Sequence, residues 1–322
     1  MNKKRALICG VTGQDGAYLS KLLIDKGYEI FGGSRDAENS SFDNLHKLDL
    51  YQKIKPISIS LIDFRSVVQT IDFVRPDEIY NLAGQSSVAL SFQQPVETLE
   101  SIIVGVLNLL EAIRFSKQPI KLYNAGSSEC FGNANEAVTE TTAFVPRSPY
   151  GVAKSGAFWV LANYREAYNI FASTGILFNH ESPLRKERFV TKKIISTACR
   201  IAKGSKEKLK LGNINIYRDW GWAPEYVEAM WLMLQQEKPQ DFIIASGETF
   251  SLQRFVETTF SILNLDWEKH VEIDSALLRP TDISKGYANP EKASHLLNWS
   301  AKIKGDYLIK RLVECEMNNQ YF

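Results

Sequence analysis

The stretch ALICGVTGQDGAYLSKLL, residues 6–23, runs from a short apolar segment through a turn holding Gly10, Gly13 and Gly16 into a helix-period repeat of apolar residues. Three glycines at a strand-to-helix turn permit a sharp bend, a close approach of backbone to a pyrophosphate and tight packing of helix on sheet. The unpaired N–H groups that open the helix then face the anion. Such spacing also occurs in turns that bind nothing, so its position at the head of a βα series is what points to a dinucleotide. Thr12, Gln14 and Asp15, between the glycines, can add side-chain hydrogen bonds to that ligand or cap the helix.

Outward from this turn the alternation continues. Strands are expected at residues 6–10, 29–33, 57–61, 78–83, 120–125 and 171–178, with helices at 14–26, 65–74, 96–115 and 150–168. Right-handed crossovers make this an α/β chain with a Rossmann-type doubly wound parallel sheet. After residue 179 the rhythm is broken by a charged segment, 184–188, and a lysine-rich one, 203–210, whose KGSKEKLK run reads as a solvated turn. A helix at 224–236 and a strand at 241–245 are expected to return to the sheet. The expected division is a dinucleotide-binding domain of residues 1–178, with about 216–246 returning to it, and a smaller interwoven C-terminal substrate-binding domain of 179–215 and 247–322.

The chain has 322 residues, 44% hydrophobic and 23% charged, with 38 basic side chains against 37 acidic ones. That composition suits a soluble protein large enough to bury a core without disulfides. Its four cysteines are scattered with no CxxC pair, and the N-terminus shows no signal-peptide pattern, so a reducing cytoplasm is expected. No apolar run nears the roughly 20 residues of a membrane span. The near-neutral balance argues against a nucleic-acid surface, and His46, His180, His270 and His295 are too far apart in sequence to suggest a metal site.

Two further clusters carry chemistry. GGSRDAENSS, residues 32–41, follows the second strand where a dinucleotide's adenosine ribose lies; Arg35 suits a 2′-phosphate and favours NADP, while Asp36 suits a free 2′-hydroxyl and keeps NAD open. NAGSSECFG, residues 124–132, and SPYGVAK, residues 148–154, bring Ser127, Ser128 and Glu129 to the carboxyl end of the fifth strand and Tyr150 and Lys154 to one face of a helix. An ammonium beside a phenol favours the phenolate, which makes the pair an acid/base near neutral pH. A carboxylate beside them supplies a second base that simple alcohol oxidation does not need.

The segments GVTGQDGAYL, EIYNLAGQSSV, NAGSSECFG, PRSPYGVAK, NYREAYNIFASTGILFNHESPLR, RDWGWAPEYVEAMWLMLQ and LRPTD resemble the GDP-mannose 4,6-dehydratases, extended short-chain dehydrogenase/reductases, from about residue 5 to residue 300. The Tyr/Lys and glycine motifs are shared by the superfamily; NHESP, RDWG and EAMWLMLQ are particular to the dehydratases. The resemblance implies a hydro-lyase that converts GDP-mannose to its 4-keto-6-deoxy product while regenerating its nicotinamide cofactor. It places catalysis on Ser127, where the family has threonine, and on Glu129, Tyr150 and Lys154. Cofactor contacts are implied at Gly10, Thr12, Gly13, Gln14, Asp15, Gly16, Arg35, Ser60, Leu61, Leu82, Ala83, Gln85, Tyr150, Lys154, His180 and Arg185. Substrate contacts are implied at Ser86, Ser127, Ser128, Glu129, Asn179, Val190, Lys193, Arg218 and Arg279, whose cations suit a sugar diphosphate.

The sequence departs from the family at several positions. Asp36 replaces the second arginine of an RR pair, Ser60 an aspartate, Glu97 a tyrosine and Trp222 a histidine, and the segment before Arg279 is shorter. The same dehydration of GDP-manno-heptose therefore stands as an alternative. Epimerisation, 4-reduction and a non-catalytic dinucleotide sensor explain Glu129 less well. The resemblance implies a homo-tetramer or homo-dimer.

Overall fold

Each apolar, β-branched run in the first half becomes a strand of one parallel sheet. The computed structural model describes residues 3–322, so the first two residues of the expected first domain lie outside the described residues. In chain order the strands are β1 (Arg5–Cys9), β2 (Glu29–Ser34), β3 (Lys55–Ser58), β4 (Glu78–Asn81), β5 (Lys121–Ala125) and β6 (Ala172–Leu177), followed by β7 (Asn179–Glu181), β8 (Leu209–Leu211) and β9 (Tyr217–Trp222). The last are β10 (Phe242–Ile244), β11 (Thr249–Ser251) and β12 (Val271–Ile273). The main sheet has seven strands in the order β10-β6-β5-β4-β1-β2-β3. Strand order reverses between β1 and β4, and in open α/β sheets a ligand crevice forms at that point, beyond the carboxyl ends of the strands.

Alternation along β1 feeds two cores. Ala6 and Ile8 face one side, with Leu19, Leu23, Tyr226 and Met230, while Leu7 and Cys9 face the other, with Val67, Leu109, Leu122 and Ala157. A third core, around Trp220, Phe250, Phe255 and Leu312, belongs to a second lobe. This lobe is built on two small sheets, β11-β9-β7 and β12-β8.

The chain crosses between lobes repeatedly. The Ala223–Leu234 helix packs on the Gln14–Asp25 helix, and β10 pairs with β6. Ala293, Leu297, Trp299 and Ala301, late in the chain, sit in the first core, and the Tyr18 hydroxyl donates to the Tyr321 carbonyl at 2.6 Å.

Two elements differ from the sequence expectation. The third strand ends at Ser58 rather than Leu61, because Asp63 closes a turn onto Ser60 and its carboxylate caps the next helix at the Arg65 amide. The expected helix at 96–115 is interrupted by a π turn, Glu100–Val104, between Pro95–Leu99 and Gly105–Ser116. The turn lies where the loop after β4 presses on the helix, with the Gln85 amide donating to Ser101 at 3.4 Å.

Asp219 on β9 ties the lobes together. It is wholly buried and accepts from the Ser246 amide at 2.9 Å and the Gly247 amide at 2.7 Å, just beyond β10. Burial lifts its carboxyl to about 6 against the opposing effect of those bonds. Asp219→Ala strands the buried Ser246 amide and removes the bond to the Gly247 amide, so it is expected to lower the unfolding free energy by about 1–3 kcal/mol in chemical denaturation. A loss below about 0.5 kcal/mol, the range of ordinary surface substitutions, would contradict this role.

Candidate functional site

A cleft of about 740 Å³ opens over the carboxyl ends of β1, β2 and β4. Gly10, Thr12, Gly13, Gln14, Asp15, Gly16, Arg35, Ser60, Leu61, Leu82, Ala83, Gln85, Ser86 and Arg185 all line it. Gly10 has φ +85°, and a Cβ there would come within 2.9 Å of the Leu82 carbonyl and Ala83 amide, so no other residue lets β1 and β4 run this close. A Cβ on Gly13 would meet only the Gly10 carbonyl, at 3.4 Å, and otherwise enter open space. The amides of Gln14, Asp15 and Gly16 open the helix and have no partner within it. This bare, donor-lined cradle fits a dinucleotide pyrophosphate.

Several side chains of the glycine turn look away from the cleft. Gln14 donates to the His180 carbonyl at 3.0 Å and accepts from the Ser182 hydroxyl at 2.8 Å. Asp15 meets His180 Nε2 at 2.9 Å, while His180 Nδ1 faces the Phe178 carbonyl at 2.8 Å and the ring stacks on Tyr226. Both ring nitrogens thus face acceptors, and only the imidazolium donates to both. Burial opposes the charge, but the Asp15 carboxylate outweighs it and raises the His180 pKa; Asp15, though buried, is correspondingly lowered. His180 is therefore a satisfied buried histidine that clips the glycine turn to β7.

Asp36 is tied into its own turn. Its carboxylate accepts from the Glu38 and Asn39 amides and the Asn39 side chain at 2.9–3.1 Å, so both oxygens are engaged within the turn. Arg35 projects with 87% of its side chain exposed and approaches Glu97 at 3.8 Å, a weak pairing at such exposure.

Ser148 caps the Pro149–Tyr168 helix by accepting from the Gly151 amide at 3.0 Å, and Pro149 occupies its first turn. This fixes Tyr150 and Lys154 one turn apart, both buried. Lys154 Nζ donates to the Ala125 carbonyl at 2.7 Å and lies 5.8 Å from the Tyr150 ring centroid. The expected lowering of the phenol is not what this arrangement gives. Burial pushes Tyr150 up, with Ser127 opposing, and burial pulls Lys154 down to about 8. Ser127, two residues past the end of β5, accepts from the Glu129 amide at 3.3 Å, setting a 3-10 turn that carries Ser128 and Glu129.

Ser128, Glu129 and Arg218 line a second, smaller pocket with Phe178 and Tyr287. Burial raises the Glu129 carboxyl; Arg218 and Arg279 oppose the rise and Asp282 adds to it. Arg218 and Arg279 share Asp282, at 3.1 and 3.3 Å. Asn179 pairs with Trp220 across β7 and β9, beside this cluster. Val190 and Lys193 line neither cavity: Val190 packs on the second-lobe core, and the Lys193 ammonium donates to the Lys210 carbonyl at 2.6 Å.

Some cleft residues were not anticipated. Lys186, Arg188 and Phe189 line its rim with Arg185, whose guanidinium lies 3.8 Å from the Phe189 ring centre. The LRKER run that signals them reads in sequence as a domain boundary. Among the described residues no group of three metal-ligating side chains gathers, and no helix is long and apolar enough to cross a membrane.

A parallel sheet carrying a Tyr/Lys helix and an interleaved second lobe is the architecture of the extended short-chain dehydrogenase/reductases. It matches DesIV, a dTDP-glucose 4,6-dehydratase from Streptomyces venezuelae with NAD bound, at a TM-score of 0.87 over 98% of this chain and 97% of that one, with 18% identity. It also matches RMD from Pseudomonas aeruginosa, complexed with NADPH, at 0.82 over 98% and 100%, with 19% identity. The family profile described as GDP-mannose 4,6 dehydratase matches residues 7–312. GDP-mannose 4,6 dehydratase 1 of Arabidopsis thaliana is 45% identical, covering 97% of this chain and 89% of that protein. The chain belongs to the GDP-mannose 4,6-dehydratase family.

The burial of Lys154 has a measurable cost. With its pKa near 8 against an ordinary 10.5, the folded state disfavours the ammonium, so stability falls as pH drops from about 10.5 to about 8 and the penalty is complete below that. Lys154→Met is expected to raise the thermal midpoint at pH 7, with a gain that shrinks as pH approaches 10. An unchanged or lowered midpoint at pH 7 would contradict the assignment.

Proposed function

We propose that this protein removes water from GDP-mannose to give GDP-4-keto-6-deoxymannose, a lyase reaction in which the nicotinamide cofactor is regenerated. The observation that carries this reading is Glu129, a half-buried carboxyl with a raised pKa on the same turn as Ser127, next to the Tyr150 helix and the Arg218 cluster. Oxidation of an alcohol needs only the Tyr/Lys/Ser set. Elimination needs an additional base at the neighbouring carbon.

A bound nicotinamide would supply the hydride acceptor for C4 and the hydride donor for C6. Tyr150 takes the C4 hydroxyl proton, with Ser127 hydrogen-bonding the same oxygen and opposing the burial that keeps the phenol protonated, while Lys154, held on the Ala125 carbonyl, lies 5.8 Å from the Tyr150 ring. The resulting ketone acidifies C5. Glu129 removes the C5 proton and delivers it to the departing C6 hydroxyl, which leaves as water, a double duty that suits a carboxyl poised above its ordinary range; protonation of C5 after hydride reaches C6 then balances the proton Tyr150 took from the C4 hydroxyl. Arg218 and Arg279 balance the diphosphate charge. The backbone of the glycine turn, with Arg185 at its rim, takes the cofactor pyrophosphate.

Support for NADP lies in Arg35, the cation nearest the end of β2, and in Asp36, whose oxygens are held within their own turn. A homo-oligomer is favoured by the large apolar side chains that two neighbouring helices expose, Phe115 on one and Val152 and Trp159 on the other. Four free cysteines suit the cytoplasm.

Glu129→Gln is expected to bind NADPH within about twofold of the parent while losing roughly a hundredfold or more in GDP-mannose dehydration. Binding is read by nicotinamide fluorescence and turnover by mass spectrometry of the sugar nucleotide. Full dehydration by the variant would overturn the role of Glu129.

A further inference from the structure

Asp282 lies outside the group of residues assigned to chemistry or binding above, yet three donors, one from β9 and two from its own segment, meet on its side chain. One oxygen, Oδ1, lies 3.1 Å from Arg218 Nη2 on β9 and 3.3 Å from Arg279 Nη1, and also accepts from the Ile283 amide at 2.9 Å. Arg218 is 7% exposed, and its other terminal nitrogen donates to the Tyr217 carbonyl at 3.0 Å. Two guanidinium groups converging on one partly buried point repel each other unless a negative charge lies between them.

The segment that carries Asp282 is pinned on both sides of the site. Thr281 donates to the Arg147 carbonyl at 2.5 Å, just before the Tyr150 helix. Ser284 donates to the Asn133 side chain from its amide, at 2.6 Å, and its hydroxyl, at 3.0 Å, just after the Glu129 turn. The Tyr217 amide donates back to the Ser284 carbonyl at 2.8 Å, which fastens the same segment to β9. A short loop therefore spans the catalytic turn, the start of the Tyr150 helix and the strand bearing Arg218, with Asp282 at its centre.

We propose that Asp282 is a positioning residue that holds the Arg218 and Arg279 guanidiniums together as one clamp for the diphosphate of the sugar nucleotide. The inference rests on the GDP-sugar reading above. The bidentate geometry of arginine gives a phosphate oxygen two donors per side chain, but only when the plane of the fork is fixed beforehand. Asp282 ties one nitrogen of each fork to a shared oxygen, and the Tyr217 carbonyl holds a second nitrogen of Arg218. It also adds to the charge around Glu129, which interacts with Arg218, Arg279 and Asp282 and with Tyr150 and Cys130.

The test compares the parent, Asp282→Asn and Asp282→Glu for GDP binding by calorimetry and for steady-state turnover of GDP-mannose across pH. Asp282→Asn is expected to weaken GDP binding and raise KM by roughly tenfold or more, with kcat within about threefold. Asp282→Glu recovers part of the loss. Removing the negative charge also moves the limb of the kcat profile that reports Glu129 to lower pH, which a merely structural role does not do. GDP binding by Asp282→Asn that equals or exceeds the parent's, or a fall in kcat with KM unchanged, would overturn the proposal. A parent protein that neither binds GDP nor dehydrates GDP-mannose would instead overturn the reading on which it rests.

Discussion

The contact between the glycine turn and β7 is the constraint on which the rest of the site depends. Gln14 bridges the His180 carbonyl and the Ser182 hydroxyl, and Asp15 pairs with His180, all at 2.8–3.0 Å. These bonds lock the start of the first helix to the strand that leads into the second lobe. β7 pairs with β9, and β9 carries Arg218 and Asp219. The position of the cations relative to Tyr150 and Glu129 is thus inherited from a buried seam of polar groups. Such groups are costly to leave unpaired, so the seam permits few alternative arrangements.

The site holds ionisable groups in states that water alone would not favour. Lys154 and Glu129 are both displaced toward neutrality by burial, and the Arg218–Asp282–Arg279 group keeps charge where a diphosphate can be matched. Acid/base work near pH 7 benefits from this displacement, because a group that exchanges protons near the working pH is effective in both directions. Stability is lost to it, and the large hydrophobic cores on both faces of the sheet offset that loss.

Much of the fold was legible because its signals are local and periodic. Alternating apolar runs marked the strands, and the glycine turn marked the order reversal of the sheet. The short end of β3 and the π turn were not legible, since each arises where one turn or loop presses on another. Within the site, Tyr150, Lys154, Ser127 and Glu129 could be grouped because they sit at adjacent strand and helix ends. The roles of Gln14, His180 and Asp36 could not be read, because type and spacing do not show which way a side chain turns. Asp282 and Arg188 were missed for another reason: sequence does not separate a solvated charge from one drawn into a cleft, and neither Arg188 in its charged run nor Asp282 in its loop carries a periodic signal. The match to the GDP-mannose 4,6-dehydratase family over residues 7–312 adds what periodicity cannot, a substrate class.

The central claim is an elimination in which no reductant is consumed. The most direct measurement is mass spectrometry of GDP-mannose incubated with the purified protein and NADP alone, run beside GDP-manno-heptose, while nicotinamide absorbance is followed. The expected result is loss of one water from GDP-mannose over many turnovers with no net change in reduced nicotinamide. Conversion that stops at one equivalent per cofactor, or no loss of water from GDP-mannose while the cofactor binds, would contradict it.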